Sequence, residues 1–217
     1  EIMDKRWEVR KTENVITQQL SEELAVSRIV AHLLVLRGIK TFDAAKLFFR
    51  PKLSHLNDPF LMKNMQKAVK RIELAISKNQ KILVYGDYDV DGTTSVAMMY
   101  SFLKKYNQKI EYYIPCRYKE GYGISLKGID YANKNNISLV IALDCGIRAV
   151  EQIDYANKKA IDFIICDHHN PSDKIPNAIA VLNPKQIDCS YPYKELSGCG
   201  VGFKLIQAYC INNNIGF

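Results

Sequence analysis

The chain has 217 residues, 47% of them hydrophobic and 24% charged, with a formal net charge of +7 at pH 7. That length buries a full core and the composition is ordinary for a globular protein. No apolar run approaches the roughly 20 residues of a membrane-spanning helix, and the start, Glu1-Ile-Met-Asp-Lys-Arg-Trp7, lacks the apolar centre of a secretory leader.

Residues 14–78 read as helical. Leu20, Leu24, Ile29, Leu33, Leu34 and Leu36 recur at helical spacing, Gly38 stops that helix, and Thr41 caps a second over 42–49. Pro51 and Asp58-Pro59 mark a loop, and 61–77 reads as an amphipathic helix whose basic face carries Lys63, Lys67, Lys70 and Arg71. From residue 81 the pattern alternates. Strands are expected at 82–85, 110–114, 139–143, 161–165 and 178–182, with helices at 94–106, 125–135 and 149–159, and a last helix at 203–211. Short buried strands separated by helices indicate βαβ units. The expected fold class is therefore α/β: a mainly parallel β-sheet flanked by helices over 79–217, preceded by a small helical segment over 1–78.

Three of these strands end in chemistry. The run at 82–85 leads into Asp87, Asp89 and Asp91, followed at once by Gly92 and hydroxyl residues. The run at 139–143 ends in Asp144, and that at 161–165 leads to Asp167-His168-His169. Three carboxylates within five residues repel one another unless cations are near. In an open parallel sheet ligands bind beyond the carboxyl ends of the strands, so distant segments bring acids and imidazoles to one edge. Helix capping explains one such Asp but not all three sites. Carboxylate oxygens mixed with histidine, without a thiolate cluster, point to Mn²⁺ or Mg²⁺. Two ions roughly 3.5–4 Å apart activate a water and stabilise an in-line displacement at phosphorus. Asp87-x-Asp89-x-Asp91-Gly92 also matches the opening of a calcium loop, but position twelve is Met98 instead of Glu and a strand precedes it.

Other candidates contact substrate. Arg117 suits a phosphate, and Tyr122 or Tyr118 a stacked base, unless the loop is simply surface. Gly198-x-Gly200-x-Gly202 reads as a tight turn opening a packed helix or, at Gly200, as a point of phosphate-backbone contact; it is not a dinucleotide fingerprint, since Phe203 stands where the last Gly should be. His32 and His55 read as packing or surface residues. The six cysteines include no Cys-x-x-Cys pair and read as reduced thiols in a cytoplasmic protein. The basic excess suits a polyanion such as nucleic acid.

Together these motifs resemble the DHH phosphoesterase superfamily and, within it, the RecJ single-strand-specific exonucleases. The resemblance rests on Gly86-Asp-Tyr-Asp-Val-Asp-Gly92, Pro115-x-Arg117 with Gly121-Tyr-Gly123, Asp144-Cys-Gly-Ile147, Asp167-His-His169, Asn183-Pro184 and Leu196-Ser-Gly-Cys-Gly-Val-Gly-Phe203. Phe48-Phe-Arg-Pro51 and Asn57-Asp-Pro-Phe-Leu-Met62 extend it into the helical lead-in. One departure is Cys145, where the family often has Asn. The resemblance implies a Mn²⁺- or Mg²⁺-dependent 5′→3′ exonuclease on single-stranded DNA, acting in recombination and repair. Metal ligands are then expected among Asp87, Asp89, Asp91, Asp144, Asp167, His168 and His169. Of these Asp89, Asp91, Asp144 and His168 are the direct ligands, Asp87 and Asp167 are ligands or orient them, and His169 meets metal or the scissile phosphate. The catalytic set is Asp89, Asp91, Asp144, His168 and His169. A single-strand-binding protein and a recombination helicase are the implied partners of a monomer. The family's polypeptide continues into a further metal-ligating Asp, a second lobe and an OB-fold, so the chain is expected to be an N-terminal fragment. Two other readings are a DHH-type phosphodiesterase on short oligonucleotides or cyclic dinucleotides, and a catalytically silent nucleic-acid-binding module.

Overall fold

Residues 6–216 are described in the computed structural model, which divides into two units, Glu1–Leu56 and Asn57–Phe217. In the first, helices α1 (Asn14–Leu24), α2 (Arg28–Leu36) and α3 (Phe42–Phe49) bury Leu20, Ala31, Leu34, Val35 and Ala45. The single helix expected through Leu36 is two. Ala25 turns left-handed at φ 53° to close α1, and the Ser27 side chain accepts from the Val30 amide to open α2. As a result Ile29, Leu33 and Leu36 face outward. Thr41 caps α3 as expected, accepting from the Ala44 amide. His32 packs with its Nδ1 2.9 Å from the Thr12 hydroxyl, and His55 accepts from the Lys52 amide.

The second unit opens with a 3₁₀ turn (Pro59–Leu61) and α4 (Met65–Ser77), then β1 (Ile82–Gly86), α5 (Val90–Leu103), β2 (Ile110–Tyr113), α6 (Leu126–Lys134), β3 (Leu139–Leu143), α7 (Val150–Lys158), β4 (Asp162–Cys166), β5 (Ala180–Leu182) and α8 (Gly198–Asn212). The second of the two compact units begins at Asn57, ahead of α4. The reason is α4, whose Met65, Val69 and Ile72 enter the same core as Ile82, Val84 and Leu139.

All five strands are parallel, in the order β2-β1-β3-β4-β5. Alternate residues feed two cores. Val84, Ile141 and Ile164 pack with α4, α5 and α8 on one face. Leu83, Val140 and Phe163 pack with α6 and α7 on the other. Chain order reverses at β1 and β3, and a doubly wound sheet opens its ligand crevice there, at the carboxyl ends.

Two helices begin earlier than expected. α5 starts at Val90 instead of 94 because Asp89 is its N-cap, accepting from the Gly92 amide at 2.9 Å. α8 starts at Gly198 instead of 203, capped by Ser197, which accepts from the Gly200 amide. The glycine segment is therefore the first turn of a helix.

Candidate metal centre

Strand register sets the site. Gly86 pairs with Leu143 and Leu143 with Cys166, each the last residue of its strand. The next residues, Asp87, Asp144 and Asp167, consequently stand in a row across the sheet edge, each 1% exposed or less. Burying three neighbouring carboxyls demands partners, and the protein supplies them unequally.

Asp167 is fully engaged. Its Oδ1 accepts from the His168 amide at 2.7 Å, the His169 amide at 3.1 Å and His169 Nδ1 at 2.7 Å, and its Oδ2 accepts from the Ile147 amide at 2.8 Å. Burial alone would raise its pKa, but these hydrogen bonds outweigh it and hold the carboxyl below the ordinary range. In return the bond to Asp167 raises the pKa of His169 against the opposing effect of burial. The His169 main chain is fixed too, since Asn183 Nδ2 donates to its carbonyl at 2.9 Å.

Asp144 is the opposite case. Its backbone is left-handed, with φ 59°, a conformation Asp adopts more readily than most residues. Burial first, and then the charges of Asp91 and Asp89, push its carboxyl up to about 8. Burial likewise raises Asp87, and Asp89 adds to the effect, although the Tyr88 amide hydrogen bond opposes it. Asp87 Oδ2 and Asp144 Oδ1 are buried with no hydrogen-bond partner among the described residues. His168 Nε2 comes within 3.2 Å of Asp144 Oδ1 and 3.8 Å of Asp91 Oδ2, close enough for charge interaction but not aligned with Asp144 as a hydrogen bond.

Asp91 lies in the first turn of α5 and receives the start of α8, with the Gly198 and Cys199 amides donating to its two oxygens at 2.7 Å each. A helix N-terminus favours an anion here. Gly198 also presses on Asp144: a Cβ there would stand 2.3 Å from Asp144 Oδ1, so only glycine fits. Cys145, beside Asp144, is buried in the apolar core with Ile124 and Ile147.

The expected substrate residues lie along the same edge. Arg117 is exposed, with its guanidinium carbon 5.2 Å from the Tyr88 ring centroid. Tyr88 meets Tyr122 edge-on at 6.4 Å, and the Tyr122 hydroxyl lies 3.0 Å from His169 Nε2. Burial and the nearby Asp87, Asp167 and Asp144 charges raise the Tyr122 pKa. Gly200 has its amide taken by Ser197. The sequence alone assigned no role to Tyr88 or Asn183 and did not point to the contact of Gly198 with Asp144. Tyr88 was visible between the acids of the first motif. The Asn183-Pro184 dipeptide was noted, but its contact with His169 is long-range.

Asp144, His168 and His169 each offer a ligand atom within 4.8 Å of the others, and Asp91 flanks them. Two orphaned carboxylate oxygens beside imidazole nitrogens, in a cluster rich in acids, fit a divalent cation of the Mn²⁺ or Mg²⁺ kind. An unpartnered buried oxygen of this kind costs about 1–3 kcal/mol, and a cation held by Asp144 and the imidazoles would relieve that cost at Asp144.

Residues 81–216 match the DHH family, N-terminal domain. The chain belongs to the DHH family. Among curated DHH relatives, the single-stranded-DNA-specific exonuclease RecJ of Bacillus subtilis (strain 168) is 43% identical over 203 residues, covering 94% of this chain and 26% of that protein. The protein of the same name from Escherichia coli (strain K12) is 34% identical over 148 residues, covering 68% of this chain and 26% of that one. The chain thus spans about a quarter of the length of these relatives. The crystal structure of exonuclease RecJ bound to manganese superposes with a TM-score of 0.66 at 26% identity, over 71% of this chain and 39% of that one. RecJ from Thermus thermophilus in complex with Mn²⁺ gives 0.73 at 22% identity, over 94% and 28%, and so shares the fold. No helix among the described residues is long and apolar enough to cross a membrane.

Proposed function

We propose that this chain carries the metal-binding part of a single-strand-specific DNA exonuclease that hydrolyses phosphodiester bonds from the 5′ end in recombination and repair. The observation that carries the reading is the pair of buried, partnerless oxygens of Asp87 and Asp144 at the sheet edge, with His168 3.2 Å from that of Asp144. Asp144, His168 and Asp91 would hold the cation, and Asp87 and Asp89 would add carboxylates for a second one. When bound, Mn²⁺ or Mg²⁺ supplies Lewis acidity to the phosphate and lowers the pKa of water.

The remaining residues bind and orient. Asp167 fixes the ring of His169 through Nδ1 and leaves Nε2 toward Tyr122 and the scissile phosphate. Arg117 pairs with a backbone phosphate and Tyr122 offers a ring face. Gly200 lies where the strand passes the start of α8. The net charge of +7 favours a polyanion. The same reading places the protein in the cytoplasm as a monomer that works with a single-strand-binding protein and a recombination helicase. The free cysteines suit a reducing compartment.

The test uses a polypeptide extended to the length of the relatives, with end-labelled single strands, a duplex and a dinucleotide. Mn²⁺-dependent release of the 5′ label first, with the duplex spared, is expected. Equal digestion of duplex, or digestion in excess chelator, contradicts the proposal. A dinucleotide cleaved far faster than a long strand would favour a short-oligonucleotide phosphodiesterase.

A further inference from the structure

A cavity of about 420 Å³ lies beside His169 and is bordered by the loops that follow β2, β3 and β4. Its floor is apolar, made by the buried Ile124 and Ile147. Tyr122 and His169, joined through the 3.0 Å contact of hydroxyl and Nε2, form one wall. Arg148 and Gln152 stand at the rim. Arg148 is held in place because its Nε donates to the Asn170 carbonyl at 2.9 Å, and its terminal nitrogens carry no hydrogen bond among the described residues.

We propose that this cavity seats the base of the nucleotide whose phosphate lies at the metal centre; the inference rests on the function proposed above. An apolar floor with a few polar groups at the rim, at the low end of the volume range of small-molecule sites, suits a flat heteroaromatic ring. It does not suit a phosphate. The Asp167 carboxylate is among the lining residues, and Arg148 supplies the one guanidinium there. Arg148 stacks on or hydrogen-bonds the ring. The Gln152 amide offers a donor or an acceptor according to its rotation, so any of the four bases is accepted. The cavity therefore reads the presence of a base and not its identity.

The test titrates the 217-residue chain, first with Mn²⁺ alone and then, at saturating Mn²⁺, with deoxynucleoside 5′-monophosphates and with deoxyribose 5-phosphate, which lacks the base. Each monophosphate should bind at least about tenfold more tightly than the sugar phosphate, the scale of one stacked base, with the four bases within about threefold of one another. The double variant Arg148→Ala/Gln152→Ala should reduce the advantage of the base to under about threefold. Equal affinity for the two ligands overturns the inference, as does a base advantage that survives in the double variant, while Mn²⁺ binding leaves the metal centre standing. A chain that binds no Mn²⁺ removes the proposed function, and this inference with it.

Discussion

At the amino ends of the strands, Arg71 is buried and matched. Its Nε donates to Asp162 Oδ2 at 2.6 Å, its Nη1 to Gln80 Oε1 at 2.9 Å and its Nη2 to the Ser138 carbonyl at 3.3 Å. At the carboxyl ends, Asp87, Asp144 and Asp167 are buried in a row. Only Asp167 is fully satisfied by the protein, and two oxygens of the others are left without partners among the described residues. The same sheet thus treats buried charge in two ways. One end completes its own electrostatics and serves stability. The other leaves buried carboxyls that the protein itself does not satisfy, and that raise one another's pKa, which marks it as the candidate functional end.

Paired substitutions would break this contrast most sharply. In a polypeptide of the relatives' length, His168→Ala should lower single-strand turnover by at least ~10²-fold, since metal stabilisation is worth several kcal/mol. Its thermal stability without metal should change little, because His168 lies in a half-exposed position beside Asp144 and Asp91. Arg71→Ala should do the reverse. It strands the Asp162, Gln80 and Ser138 partners and costs about 1–3 kcal/mol in chemical denaturation, while turnover well below the unfolding temperature stays near normal. Both variants losing activity in proportion to stability would erase the distinction between the two ends.

A second substitution sharpens the comparison without removing any donor. Gly198→Ala places a methyl 2.3 Å from Asp144 Oδ1 at the start of a helix whose amides hold Asp91. The Asp144 carboxyl must move. The expected result is a roughly 10–100-fold loss of Mn²⁺ affinity, the scale found when groups that orient ligands are disturbed, read by titration with Mn²⁺. Unchanged affinity would show that Asp144 adapts freely and that its seat against α8 is unimportant.

Much of this was legible in the sequence. Apolar runs such as Ile82-Leu-Val-Tyr85 and Leu139-Val-Ile-Ala-Leu143 declare buried parallel strands, and acids directly after them must gather at one sheet edge. The starts of α5 and α8 were hidden, since Gly92, Gly198, Gly200 and Gly202 have poor helix propensity and read as turns. Close packing overrides propensity there: a Cβ on Gly92 would come within 2.5 Å of the Asp87 carbonyl oxygen. The split between α1 and α2 was missed because Leu33 and Leu36 fit a continuous helical pattern yet are exposed in the structure. Nothing local in the sequence marks the left-handed backbone of Asp144 or its contact with Gly198. Both depend on strand register and on a helix that arrives later in the chain.

The smallest expected effect concerns the pH dependence of the metal-free chain. The Asp144 carboxyl is raised to about 8 by burial and by the Asp91 and Asp89 charges, against about 3.9 in an unfolded chain. In the folded state it therefore holds its proton through the range in which the unfolded chain loses it. By linkage, this contribution to stability is fully present below about pH 4 and is lost as pH rises through about 8. The melting temperature in chelator should accordingly fall between about pH 5 and 8, and saturating Mn²⁺ should reverse the trend by binding the ionised carboxylate. Asp144→Asn, whose amide never ionises and tolerates the left-handed backbone, should flatten the slope in chelator. Some slope should remain, because Asp87 is raised as well. An Asn variant with the same pH slope as the parent would mean that Asp144 titrates as an ordinary exposed acid, and that the charge imbalance at this end of the sheet lies elsewhere.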